Sequence, residues 1–195
     1  EKTLKNILIP LIGSHNVLNT LCAYSIARGL NIPNDKIISA LKNFKGVKRR
    51  FSIIFNDEIN MIIDDYAHHP SEINMTLNSL RSITKRKVIT IFEPHRISRL
   101  KGLEKEFIEC FKKADVIFIL PIYTAGEKLD IKYDHKFFSS LLKKKYKKKV
   151  IYTVKNNVAF FERLAGVIDD KDNIIFLGAG KSSKIASDFS EYFTR

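Results

Sequence analysis

The chain has 195 residues, 45% of them hydrophobic and 28% charged, a balance that supports a packed core and excludes both a disordered chain and a fibre. Lysine and arginine outnumber aspartate and glutamate by 34 to 21, a formal charge of +13, which favours polyanionic ligands without choosing among nucleic acid, anionic lipid and phosphorylated small molecules. The longest apolar run, Val116 to Tyr123, is broken by Pro121 and falls far short of the roughly 20 residues that span a bilayer.

In chain order, a strand-like start leads into two helical patterns, Asn16 to Gly29 with Val17, Leu18, Leu21 and Ile26 on one apolar face, and Asn34 to Phe44. From Phe51 short β-rich runs alternate with helical ones: FSIIF, NMIID, a helix over Pro70 to Ile83, VITIF, a helix over Leu100 to Ala114, and VIFIL. A helix over Asp134 to Lys145, VIYTV, a helix near Asn157 to Ile168, IIFLG and a last helix from Lys181 complete the pattern. Continuously apolar, β-branched strands between helices predict an α/β, doubly wound, mostly parallel sheet. The change of pattern at Gly46 and Val47 marks a boundary, because residues 1–46 are too few to close a core and 47–195 match a common domain size.

Cys22 and Cys110 are isolated and read as reduced core thiols of a cytosolic chain. The KKKYKKK tract at Lys143 to Lys149 ends an amphipathic helix, where the macrodipole favours cations. It reads as a solvated helix end rather than a nucleic-acid arm.

In a parallel sheet, ligands bind beyond the carboxyl ends of the strands. MIIDDYAHHP ends a strand with Asp64 and Asp65, then gives Tyr66, His68 and His69 before Pro70 opens a helix; FEPHRISR ends the next with Glu93, His95, Arg96 and Arg99. Neighbouring strands are expected to bring these loops to one rim. Arg96 and Arg99 are spaced to grip a carboxylate or phosphate, or else to pair with Glu104 or Glu106. Asp64, Asp65, His68, His69 and His95 offer metal donors, although their spacing fits no specific metal signature. The LGAGKSS turn carries amides that can receive an anion. It matches neither a Walker A loop nor a dinucleotide fingerprint, and close strand-to-helix packing at Gly178 and Gly180 is the expected role. Glu127, in the YTAGEK turn on the same rim, reads as either structural or substrate-facing.

Together, GSHNVLN (13–19), FKGVKRRF (44–51), DDYAHHPSEI (64–73), FEPHRISR (92–99), IYTAGE (122–127) and LGAG (177–180) resemble the ATP-dependent Mur ligases of peptidoglycan synthesis. The branch most similar in these motifs joins L-alanine to UDP-N-acetylmuramate. The resemblance implies that residues 1–46 end a central P-loop ATPase domain and that 47–195 form the Rossmann-like amino-acid-binding domain. The P-loop and the UDP-sugar domain are not among these residues, so the chain is similar to a fragment that is inactive alone.

By resemblance, His15, Asn16 and Asn19 approach adenine, Arg50 lies near the ribose and phosphates, and Asp65 meets the ribose hydroxyls. Tyr66, His68, His95, Arg96 and Arg99 would form the L-alanine side, with His68, Arg96 and Arg99 closest to the catalysis. The cofactors implied are ATP and Mg²⁺, whose metal ligands belong mainly to other parts of the enzyme. Departures from the family pattern are Ile97, where an aromatic residue is usual, and Lys181 to Lys184, which replace an acidic residue. Competing expectations are a murein-peptide recycling ligase of the same family, which lacks the HRxxR arrangement, and a metal-dependent phosphohydrolase built on Asp64, Asp65, His68, His69 and His95. A basic nucleic-acid module, which uses only the net charge, is a third.

Overall fold

The computed structural model describes residues 7–57, 59–154 and 158–194. The expected start of the helix near Asn157 to Ile168 and most of the expected first strand lie outside them. Two compact units divide between Lys48 and Arg49.

The first unit contains helices α1 (Ser14–Gly29) and α2 (Asn34–Asn43). Gly13 opens α1 at φ 102°, a left-handed conformation natural to glycine alone. Tyr24 Oη donates to Asn34 Oδ1 at 2.8 Å across the turn between the helices. Residues 7–12 form no strand. No α1 residue is buried, and Val17, Leu18, Leu21 and Ile26 are exposed. Cys22 is therefore an exposed thiol, not the core thiol expected. A helical pair of this size has too little apolar surface to enclose its own stripe.

The second unit is a six-stranded sheet in the order β1-β2-β6-β3-β4-β5, antiparallel only between β1 (Ser52–Asn56) and β2 (Met61–Asp65). β3 is Val88–Phe92, β4 Val116–Ile119, β5 Val150–Thr153 and β6 Asn173–Leu177. Helices α3 (Pro70–Ile83), α4 (Ile97–Gly102), α5 (Glu104–Cys110) and α6 (His135–Lys145) follow β2, β3 and β4. Their side chains Leu77, Phe107 and Phe138 join Ile63, Phe92 and Ile175 in one core. α7 (Val158–Ala165) and α8 (Ser182–Phe193) cover the other face, where Phe160, Leu164 and Phe189 meet Ile62, Ile91 and Phe176. Alternate residues of each strand thus feed opposite cores. This is the doubly wound, mostly parallel fold expected.

Three details differ from expectation. β2 and β3 are not neighbours, because the last strand, β6, returns to the middle and pairs with both. The helix expected over Leu100 to Ala114 starts at Ile97, breaks at Leu103 (φ −122°, ψ 30°) and ends in a 3₁₀ turn, Phe111–Lys113; Gly102 adds no helix propensity at the break. Lys149, within the basic tract, is not wholly solvated. Its Nζ donates to Lys112 O at 2.8 Å and to Ala114 O, closing carbonyls that the 3₁₀ turn leaves open. Among the described residues, no helix is long and apolar enough to cross a membrane.

Candidate functional site

The carboxyl ends of β2, β6 and β3 lie side by side, so their following loops share a rim. At the end of β2, Asp65 accepts from Phe51 N through one oxygen and from Ala67 N through the other, each at 2.7 Å. Burial raises its pKa; the two amides and Arg50 oppose that shift. Arg49 and Phe51 hold left-handed backbone at φ 62° and 49°, which costs non-glycine residues energy unless neighbours fix them. The fixing bonds are Phe51 N to Asp65 and Tyr66 N to Arg49 O, the latter 2.7 Å. The Arg49 guanidinium donates to Gly178 O at 3.0 Å and lies 4.6 Å above the Tyr66 ring, with that of Arg50 5.4 Å from the same ring. Asp64 accepts from Ser183 Oγ at 2.9 Å, and burial raises its pKa too.

α3 opens with a reciprocal cap. His69 accepts from Ser71 N while Glu72 accepts from His69 N at 3.2 Å and from His68 N at 3.0 Å. His69 is thus a helix cap. His68 is turned differently: its Nδ1 meets Tyr66 O at 2.9 Å and stands 3.5 Å from Glu72 Oε2, and its ring centroid lies 5.3 Å from that of His95.

At the end of β3, the Glu93 carboxylate accepts from Gly180, Lys181 and Ser182 N, each at 3.1 Å. The amides of the LGAGKSS turn therefore do receive an anion, and it is internal. A Cβ on Gly178 would stand 2.9 Å from Glu93 Cβ, and one on Gly180 2.7 Å from Glu93 Oε2, so glycine is required for the close packing expected there. Burial raises the Glu93 pKa against the pull of those three amides and of Arg49.

Arg96 caps α4 with left-handed backbone, φ 67°. It is pinned by Arg96 N to Tyr123 O at 2.9 Å and Tyr123 N to Pro94 O at 2.8 Å. Glu127 accepts from both Ser98 N and Ser98 Oγ, tying the first turn of α4 to the YTAGEK loop. Arg99 Nη1 stands 3.4 Å from His95 Nδ1. Burial, then His68, Arg99 and Arg96, hold His95 below its ordinary pKa, Glu127 opposing. Among the described residues neither Arg96 nor Arg99 forms an ion pair. Glu104 instead accepts from Tyr133 Oη at 2.6 Å.

In the first unit, Asn16 Nδ2 donates to Ile12 O at 2.8 Å, and Asn19 Nδ2 to Asn16 Oδ1 at 3.4 Å; His15 shares this first turn of α1, and Asn19 is exposed.

The donors suggested for a metal are largely committed elsewhere: Asp64 to Ser183, Asp65 to two amides, His69 to a helix cap. Among the described residues no group of three or more His, Cys, Asp or Glu side chains is arranged to hold a metal ion. The rim instead offers two unpaired guanidiniums beside two imidazoles, a surface for a small carboxylate or phosphate.

Residues 49–180 match the family model for the Mur ligase, glutamate ligase domain. The chain belongs to the Mur ligase family. It is 42% identical over 182 residues to the UDP-N-acetylmuramate--L-alanine ligase of Pelagibacter ubique (strain HTCC1062), covering 93% of this chain and 39% of that protein. The enzyme of the same name from Rickettsia canadensis (strain McKiel) is 38% identical over 198 residues, covering 97% and 40%. The crystal structure of UDP-N-acetylmuramate-alanine ligase MurC from Thermotoga maritima superposes with a TM-score of 0.76 at 29% identity, over 95% of this chain and 39% of that one. The chain thus spans about two fifths of these relatives' length.

For a Mur ligase domain, two contributors to the rim, Arg49 and Glu72, escaped sequence reasoning, and the partners of a third, Glu93, were not read. Arg49 is indistinguishable from Arg50 in KRRF until the stack on Tyr66 separates them. Glu93 reads as a rim carboxylate, and only the fold shows which amides it meets. Glu72 had a legible signal, since HHPSE places it three residues after a cap and four after His68.

Proposed function

We propose that the chain is the C-terminal part of a UDP-N-acetylmuramate:L-alanine ligase, acting in the cytoplasm, where ATP and nucleotide-linked sugars are found. On this reading residues 1–46 end the central ATP-binding domain and 47–195 form the amino-acid domain, supported by the division between Lys48 and Arg49. The observation that carries the reading is the pair Arg96 and Arg99, unpaired and set around His95 at the rim.

These guanidiniums hold the carboxylate of L-alanine in charge-assisted bonds. Tyr66 and the His68 and His95 rings wall the space beside them. Arg50 is assigned to the nucleotide, with Asp65 fixing the turn that carries it; in the first unit, taken by itself, His15, Asn16 and Asn19 are assigned to an adenine. An amide side chain suits adenine because it both donates and accepts. The reaction activates the muramate carboxylate with ATP to an acyl phosphate, which the amine of L-alanine attacks, releasing phosphate. The negative charge that develops is stabilised best by donors already in place, and the rim arginines are such donors.

The sequence holds no Walker A loop to receive the γ-phosphate. The loop amides at Gly180 to Ser182 are filled by Glu93, and among the described residues no group of three or more His, Cys, Asp or Glu side chains is arranged to hold a metal ion. Phosphate activation therefore falls to other parts of the longer enzyme, and no step here runs through the metal.

The test is ligation by the full-length enzyme carrying this segment. ADP and phosphate should appear only when UDP-N-acetylmuramate, L-alanine and ATP with Mg²⁺ are all present, and the 195-residue segment alone should release none. Turnover with another amino acid in preference to L-alanine would overturn the substrate assignment.

A further inference from the structure

The two histidines at the rim present opposite hydrogen-bonding faces. His68 Nδ1 lies 2.9 Å from the Tyr66 carbonyl oxygen, with the Glu72 carboxylate 3.5 Å away. Both neighbours only accept, so Nδ1 carries the proton and Nε2 of the neutral ring carries a lone pair. His95 Nδ1 lies 3.4 Å from Arg99 Nη1. A guanidinium only donates, so here Nδ1 accepts and the proton sits on Nε2. Neither Nε2 has a hydrogen-bond partner among the described residues. With centroids 5.3 Å apart, one ring offers a proton acceptor and the other a donor.

We propose that His68 is the general base of the ligation and that Glu72 is the positioning residue that fixes its tautomer. This rests on the ligase reading above. L-alanine arrives as an ammonium, which has no lone pair and cannot attack. Held by its carboxylate at Arg99, it carries that ammonium two bonds from the carboxylate carbon, on the side where the imidazoles stand. His68 Nε2 removes one proton and becomes an imidazolium. The freed lone pair forms the C–N bond to the acyl phosphate carbon while the carbonyl π pair moves onto oxygen, towards the Nε2–H of His95. When that pair returns, the C–O bond to phosphate breaks and its electrons leave with phosphate, which takes the second N–H proton. The imidazolium then returns its proton to solvent.

Glu72 suits this role. Although burial opposes it, the His68 amide, the His68 ring, the His69 amide and Arg50 together hold its carboxyl below the usual range. An anion thus stands beside the ring that must become a cation, and it holds the backbone that carries this ring by accepting from the consecutive amides of His68 and His69. The other groups around His68 are the Tyr66 ring at 5.2 Å and, from the β3 end, His95 with Arg99 and Arg96 behind it. Those cations favour a neutral His95, which keeps its Nε2–H a donor and leaves proton acceptance to His68.

The experiment uses the full-length ligase with two nucleophiles: L-alanine, which needs a base, and hydroxylamine, which is largely unprotonated at neutral pH and traps the acyl phosphate as a hydroxamate. In His68→Gln the ratio of alanine ligation to hydroxamate formation should fall by about 10² to 10⁴ at neutral pH and recover as pH rises. An unchanged ratio would overturn the proposal. In Glu72→Gln, which keeps acceptors for the two loop amides, loss of the anion should move the acid limb of kcat/KM for L-alanine to lower pH. A limb that stays in place would overturn the positioning role. If the parent enzyme formed neither amide nor hydroxamate, the ligase reading itself would fail.

Discussion

Glu93 and Gly180 are joined so closely that position 180 has no room for a side chain. Gly180 N donates to Glu93 Oε2 at 3.1 Å, and a Cβ on Gly180 would stand 2.7 Å from that same oxygen and from Tyr123 Cγ. The bond ties the loop after β6 to the loop after β3 and seats Tyr123 beside them, its ring 5.2 Å from that of His95. Gly180→Ala must push one of these groups away. It should destabilise the chain by about 1 to 3 kcal/mol, the usual cost of overpacking, measurable as a lower denaturant midpoint at unchanged m-value.

Much of this architecture was legible before the fold was known. Pro70 to Ile83 and VITIF emerge with the bounds that periodicity gives them, because each is a run whose apolar period and flanking Pro or polar residues agree. The rim was legible too, since Asp65, His68, His95, Arg96 and Arg99 directly follow apolar strands. What stayed hidden depends on non-local pairing. No local pattern says that β6 inserts between β2 and β3, so the meeting of Glu93 with Gly180 and of Arg49 with Gly178 could not be read. The exposure of Cys22 was hidden for the opposite reason, because an amphipathic period shows which face is apolar and not what covers it.

His95 should titrate below its ordinary value near 6.5, held there by burial, His68, Arg99 and Arg96. Between the lowered folded value and 6.5 the unfolded chain binds more protons than the folded one, so stability rises with pH across that window and is lost as pH falls through it. NMR titration of the His95 ring should show the low midpoint, and Arg99→Ala should raise it. A midpoint at or above 6.5 in the parent would contradict this electrostatic picture.

Asp65→Asn keeps the shape but presents an NH₂ group to one of two backbone amides, Phe51 N or Ala67 N. The KRRF turn should loosen, and with it Arg50. In the full-length ligase KM for ATP should rise, the loss being worth up to about 1.5 to 3 kcal/mol, while KM for L-alanine changes little. An ATP KM equal to the parent's would remove Asp65 and the KRRF turn from the nucleotide side.

Glu127→Ala removes the acceptor that binds Ser98 N and Oγ and the anion near Arg96, with both arginines retained. The first turn of α4 should fray and KM for L-alanine should rise, with KM for UDP-N-acetylmuramate unaffected. Steady-state kinetics varying each substrate in turn separates this from a general loss of fold.

The central claim is that Arg96 and Arg99 hold the carboxylate of the incoming amino acid. The measurement that tests it most directly is kcat/KM for L-alanine in full-length Arg96→Ala and Arg99→Ala, alongside KM for ATP. Each substitution should cost about 2 to 5 kcal/mol in apparent transition-state binding of L-alanine, as when one partner of a charge pair is removed, with KM for ATP near the parent's value. L-alanine saturation unchanged in both variants would contradict the assignment.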